Sequence, residues 1–314
     1  MDRIIKLSDV KKVVDETYEK YKDLDKGTVD KNYGDNDSAD FAIVVTLTDG
    51  TEITRGDADK RFVMGALVKI PVMAELFSQF DGARHYMKML KKANGGTCGC
   101  GCSDTNRPAE QPVCPRGVRS VSAVEPRDDR DGKMTVISDR IVAMTGSDLV
   151  FDDKIFEARM KAVETDDTVN KFAQAGYFLL DNAEDSIYDY TNLESLPATT
   201  RQLAMMGATL AADGVNPVTN RPAFDGKYAQ DLLATMAVHG PHAMKRWLVK
   251  AQLPAKSGRG GAMLAVLPGV MAIAAYSPRL NDCGVSVRAH KAIARIARKL
   301  QLSIFASARV KIEK

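Results

Sequence analysis

The stretch from residue 55 to residue 76 reads Arg55-Gly56-Asp57-Ala58-Asp59-Lys60-Arg61-Phe62-Val63-Met64-Gly65-Ala66-Leu67-Val68-Lys69-Ile70-Pro71-Val72-Met73-Ala74-Glu75-Leu76. A polar Gly-Asp-Ala-Asp turn leads into an apolar run, and between Phe62 and Ala74 that run carries one charge, Lys69. Burying an ammonium is costly unless it is paired. Lys69 is therefore the first residue that calls for a chemical reason. After Arg61 the pattern reads as helix to about Phe80.

Outward from this stretch, Phe41 to Thr48 is rich in β-branched residues and ends at Asp49-Gly50, a turn signal. Thr51 to Arg55 completes a hairpin. Upstream, apolar positions between Ile4 and Tyr21 recur at helical spacing, with Ser8-Asp9 as the expected N-cap. Downstream, helices are expected over 83–92, 152–180, 199–213 and 227–238, and 133–150 is a further apolar segment. Two apolar runs, 262–267 and 270–276, are joined by Pro268-Gly269 and read as a second hairpin covered on both faces. Val287 to Leu300 is a basic amphipathic helix whose charges form a solvated face. Strands near both ends enclosing a helical middle predict an α+β domain.

The chain has 314 residues, 44 basic and 41 acidic, for a net charge of +3. That balance gives no argument for nucleic acid or an anionic membrane. Aromatic residues make up 6%, too few for base-stacking platforms. No apolar stretch spans a bilayer, and Met1 to Lys6 has no signal-peptide core. A cytoplasmic protein without nucleic-acid or membrane partners is expected.

Residues 94–132 break the pattern and are expected to form an irregular, Cys-rich insertion. Cys98, Cys100, Cys102 and Cys114 offer four thiolates, the number that tetrahedral zinc prefers. Alternating Cys-Gly-Cys is less typical of zinc than Cys-x-x-Cys, so free thiols on a loop are the competing expectation. No cofactor is required by the rest of the chain.

The stretch around Lys69 resembles the start of the central helix of the serine-dependent glutaminases. There a Gly-Asp-Ala turn precedes Pro-Phe-Ser-Ile-Gln-Ser-Ile-Ser-Lys-Val. Leu253-Pro-Ala-Lys-Ser-Gly-Arg-Gly-Gly-Ala262 resembles the family loop Leu-Pro-Ala-Lys-Ser-Gly-Val-Gly-Gly-Gly, and Arg201 to Thr219 and Ser277 to Ser286 resemble two further segments in the family's order. The resemblance covers most of 1–92 and 134–308. It implies one β-lactamase-like domain over 1–314: an antiparallel sheet from both chain ends flanked by helices (about 1–80 and 250–314), with a helical subdomain over about 81–249. It also implies glutamine hydrolysis, a small amino-acid or carboxylate ligand, and a homodimer or homotetramer.

Residue by residue, the resemblance puts Lys69 on the family's base and Ala66 on its nucleophile, so the attacking hydroxyl is missing. Tyr190 falls on the catalytic Tyr, with Tyr188 as a rival. Without a hydroxyl partner, Lys69 is expected to be a structural Lys hydrogen-bonded to Tyr190 or Asn192. Substrate-binding positions of the family fall on Val136, on Glu164 (one residue from the ungapped Val163), on Asn170 and on His242. Lys256 and Ser257 match the Lys-Ser-Gly motif, in which Lys attracts a carboxylate. Arg259 replaces a Val whose backbone lies in the oxyanion region, and is expected to narrow the pocket or bind a different anion. Acyl transfer needs a nucleophile, a base and an oxyanion hole. The expectation is therefore a diverged, impaired homologue acting by binding or regulation. The alternatives are an amidohydrolase that uses Ser257 or an insertion Cys, and a structural relative with a filled pocket.

Overall fold

The computed structural model describes residues 2–34, 36–94, 112–240 and 247–314. The chain opens with strand β1 (Arg3–Lys6) and helix α1 (Leu7–Tyr21), then a two-residue strand β2 (Thr28–Val29). The hairpin β3 (Ala42–Leu47) and β4 (Glu52–Gly56) follows, then β5 (Arg61–Val63), a 3-10 turn over Gly65–Val68 and α2 (Lys69–Gln79). The helical middle comprises α3 (Ala83–Ala93), α4 (Pro115–Ser122), α5 (Arg130–Thr145), α6 (Asp153–Thr165), α7 (Thr168–Gln174) and α8 (Ala183–Glu194). Strand β6 (Pro197–Thr199) leads into α9 (Thr200–Ala211), and α10 (Ala229–His239) and α11 (Trp247–Ala251) follow. The chain closes with β7 (Ala255–Ser257), β8 (Ala262–Leu267), β9 (Met271–Tyr276), β10 (Arg279–Leu280), α12 (Val287–Lys299) and β11 (Val310–Glu313).

Strands from both ends form one antiparallel sheet in the order β4-β3-β9-β8-β7. All residues of β3, β8 and β9 are buried, because layers cover both faces. Side chains alternate along a strand, and the two cores follow that alternation. Val44, Leu264 and Val266 face α2, α5 and α9, while Ile43, Val45, Met263 and Ala265 face α1 and α12. The terminal strands β1 and β11 pair in a separate two-stranded parallel sheet. Among the described residues no helix is long and apolar enough to cross a membrane.

Several boundaries differ from the sequence reading. Helix α1 starts at Leu7, with no side-chain bond at its cap, in place of a Ser8-Asp9 cap. The region 152–180 is two helices, broken at Asp167, which adopts a left-handed conformation (φ 53°). The segment after Arg61 is strand and 3-10 turn before it becomes α-helix, because β5 pairs with β6. The largest correction concerns 94–132, which is not irregular throughout. Its described part includes α4, buried against the helical core at every residue but Arg116, which is half-buried. Cys114-Pro115 marks the start of α4, since Pro suits the first helical position. Its Val118 and Val121 supply the apolar face.

Candidate functional site

Lys69 sits where four elements meet. The pairing of β5 with β6, and the bond from Met64 N–H to the Leu196 carbonyl (2.9 Å), bring the end of α8 beside the Gly65–Val68 turn. On the other side β7 closes in. A Cβ on Gly258 would lie 2.3 Å from the Met64 carbonyl oxygen, so this approach requires glycine. The 3-10 turn fixes the relation of residues 66 and 69. The Lys69 N–H donates to the Ala66 carbonyl, and 3-10 geometry stacks i on i+3. A hydroxyl at position 66 would therefore lie against the Lys69 side chain; the Ala66 methyl leaves none there.

A thiol meets the Lys69 amine instead. Lys69 Nζ lies 2.7 Å from Cys114 Sγ, at the N-cap of α4. Burial pushes the Cys114 thiol up. The Lys69 ammonium, its hydrogen bond and the Gly117 N–H act the other way, and the net position is below the ordinary thiol value. A lysine beside a cysteine at a helix start is the environment that favours thiolate.

Tyr190 is committed elsewhere. Its hydroxyl donates to Glu194 Oε1 (2.7 Å), and the other carboxylate oxygen accepts from Arg159 Nη2 (2.7 Å). Arg159 in turn stacks over the Tyr33 ring at 4.4 Å. Burial, then the Glu194 carboxylate, hold the Tyr190 phenol well above its usual value. Gly117 lets α4 pass this close, since a Cβ there would lie 2.0 Å from Tyr190 Cζ. The expected bond from Lys69 to Tyr190 or Asn192 is therefore replaced: Lys69 bonds Cys114 and lies 5.8 Å from the Tyr190 ring centroid. Tyr188, the rival, is partly exposed and packs on Phe156.

Beside Lys69 opens a cavity of about 190 Å³, with Lys69 and Lys256 at one side, a largely apolar wall from α2, α3 and α10, and Arg116, Arg119 and Ser120 of α4 among its lining. Burial, then the neighbouring Lys69 charge, lower the Lys256 amine to about 7. The Lys256 amine donates to the Ser257 carbonyl, at 3.2 Å. Strand alternation sends Ser257 to the face opposite Lys256, and Ser257 is not among the described residues lining the cavity.

The remaining candidates do not converge. Val136 is on α5, half-buried against the helical core. Glu164 is exposed on α6, and exposed Asn170 donates to Asp167 (2.8 Å). The Arg259 side chain is exposed and reaches towards Asp30 (4.0 Å), so it does not narrow the cavity; its backbone N faces Gly65. His242, Cys98, Cys100 and Cys102 lie outside the described residues. Of the expected zinc ligands, only Cys114 is described, and the Lys69 amine lies beside it. Among the described residues no group of three or more His, Cys, Asp or Glu is placed to hold a metal. Sequence reasoning missed α4 as a wall of the site, although its Pro at the first turn was a usable signal, and missed the Arg159–Glu194 pair, which has no local signature.

A family model described as Glutaminase matches residues 32–305. A glutaminase of Bacteroides thetaiotaomicron is 31% identical over 327 residues, covering 97% of each chain. One of Bacteroides fragilis is 29% identical over 327 residues, covering 99% of each. Among solved structures, a probable glutaminase, YbaS, superposes with TM-score 0.84 at 24% identity, covering 96% of this chain and 100% of that one. Bacillus subtilis YbgJ, a glutaminase solved in covalent complex with 5-oxo-L-norleucine, gives TM-score 0.77 at 18% identity, covering 95% and 99%.

Proposed function

The chain belongs to the glutaminase family, and we propose that it keeps the family pocket as a site for a small carboxylate-bearing molecule while lacking the serine chemistry. The observation that carries this is the 3-10 turn that stacks residue 66 on Lys69 with only a methyl at 66. Losing a nucleophile removes several orders of magnitude of rate. Tyr190, tied to Glu194, supports the same reading. The test is ammonia release from glutamine, together with calorimetric titration of small carboxylates. No turnover and measurable carboxylate binding are expected; turnover of roughly 1 s⁻¹ or more contradicts the reading. The proposal carries with it a cytoplasmic homodimer or homotetramer with no required cofactor.

The 2.7 Å contact of Lys69 with Cys114 favours a second reading, amide hydrolysis with a thiol nucleophile. The Cys114 thiolate attacks the amide carbonyl, and the Lys69 ammonium gives its proton to the departing ammonia. Water then hydrolyses the thioester, returning the proton to Lys69 and releasing the acid. Ammonia release that disappears in Cys114→Ala selects this reading over the first.

A further inference from the structure

The composition of the cavity wall narrows what it accepts. Lys69, Lys256, Arg116 and Arg119 line it with cationic groups, His239 with an imidazole and Ser120 and Thr235 with hydroxyls; most of the remaining wall is apolar, from Met73, Phe77, Leu90, Leu232, Met236 and the Tyr86 ring. No Asp or Glu stands among the described residues lining it. The Glu194 carboxylate, which acts on Lys256 from a distance, already accepts from Arg159 and Tyr190. A free amino acid brings an α-ammonium as well as a carboxylate. Placed here, that ammonium would leave water for hydrocarbon and other cations, with no carboxylate among the described lining residues to offset the cost.

We propose that the cavity beside Lys69 takes an apolar monocarboxylate rather than a zwitterionic amino acid. Its carboxylate meets Lys69 and Lys256, and its hydrocarbon body packs among Met73, Phe77, Leu90 and Met236. The volume sets the size of that body. A dry cavity of about 150 Å³ holds a benzene ring, so about 190 Å³ holds a ring or a chain of similar bulk with its carboxylate. Burial of Lys256 acts in the same direction, because a lowered amine regains its proton when an anion arrives. This inference rests on the reading of the pocket as a carboxylate site and specifies its ligand class.

The experiment is calorimetric titration of the full chain with phenylacetate, hexanoate, glutamate and glutamine. Phenylacetate and hexanoate are expected to bind at least tenfold more tightly than glutamate or glutamine. Two variants localise the binding. Lys256→Met removes one anchor, and Met87→Glu puts a carboxylate at a lining position that is 47% exposed, where folding is not at stake. Each is expected to weaken phenylacetate binding at least tenfold, and Met87→Glu decides if Lys256→Met fails to fold. Glutamate binding as tightly as phenylacetate overturns this inference and leaves the carboxylate site standing. Failure of all four ligands to bind overturns both. Phenylacetate binding that Met87→Glu leaves unchanged places the ligand elsewhere and overturns the inference.

Discussion

Lys69→Met should raise the Cys114 thiol from below its ordinary value to above it. Two effects oppose each other at this sulfur: burial disfavours the thiolate, and the ammonium 2.7 Å away favours it. Two unit charges about 3 Å apart interact by roughly 5 kcal/mol at an effective dielectric of 20. Each pK unit corresponds to about 1.4 kcal/mol. If solvent and relaxation take half of that energy, the loss of Lys69 still costs the thiolate roughly 3 kcal/mol. The thiolate fraction near neutral pH then falls about 100-fold. A more basic thiolate is a better nucleophile, with a Brønsted slope of about 0.45, which returns nearly tenfold. Alkylation of Cys114 by iodoacetamide at pH 7 should therefore slow by roughly tenfold. The assay is labelling between pH 5 and 10, read by peptide mass spectrometry, which separates Cys114 from the exposed Cys283. Cys283 serves as the control and should not change. Coincident Cys114 profiles for the variant and the unmodified chain would refute the Lys69–thiolate pair, and the second functional reading with it.

Three further outcomes follow from the same contacts. Arg159→Met leaves the buried Glu194 carboxylate without its counter-charge, where both side chains are 4% exposed; urea unfolding should show a loss of about 3–5 kcal/mol, and a loss under 1 kcal/mol would count against a charged pair. Thr199→Ala removes the hydroxyl that accepts from the Gln202 N–H in the capping box that opens α9, at a cost of about 1 kcal/mol by the same measurement. Lys256 titrates near 7 when folded, against about 10.5 when unfolded. The unfolded chain thus binds the extra proton between these values, so this residue's contribution to stability is present above pH 10.5 and is lost as pH falls towards 7. Comparison of urea midpoints at pH 7 and 9.5 should show Lys256→Met flattening that slope, and parallel pH dependence in variant and parent would dismiss the lowered amine.

Much of the fold was legible because strand and helix leave local periodicities. The hairpin of β3 and β4, the fully apolar β8 and β9 and the helix α9 were all visible as patterns of apolar and turn residues. So was the absence of a hydroxyl at residue 66, three positions before Lys69. The helix α4 was missed because it is one short stretch behind a Gly/Pro/Cys-rich segment, too brief for periodicity to stand out.

What the chain by itself determined is which groups are present: a lysine set in an apolar run, alanine before it, and strands at both ends that share a sheet. Which partners those groups meet was decided by tertiary structure alone. Cys114 lies 45 positions from Lys69, and Glu194 lies 35 from Arg159, yet each pair is within 2.7 Å. The physical reason is that a charge takes its properties from its neighbours in space, and those neighbours come from elements that are distant along the chain. Only packing of α4, α6 and α8 around the 3-10 turn turns a cysteine into a lysine's partner and takes a tyrosine out of its reach.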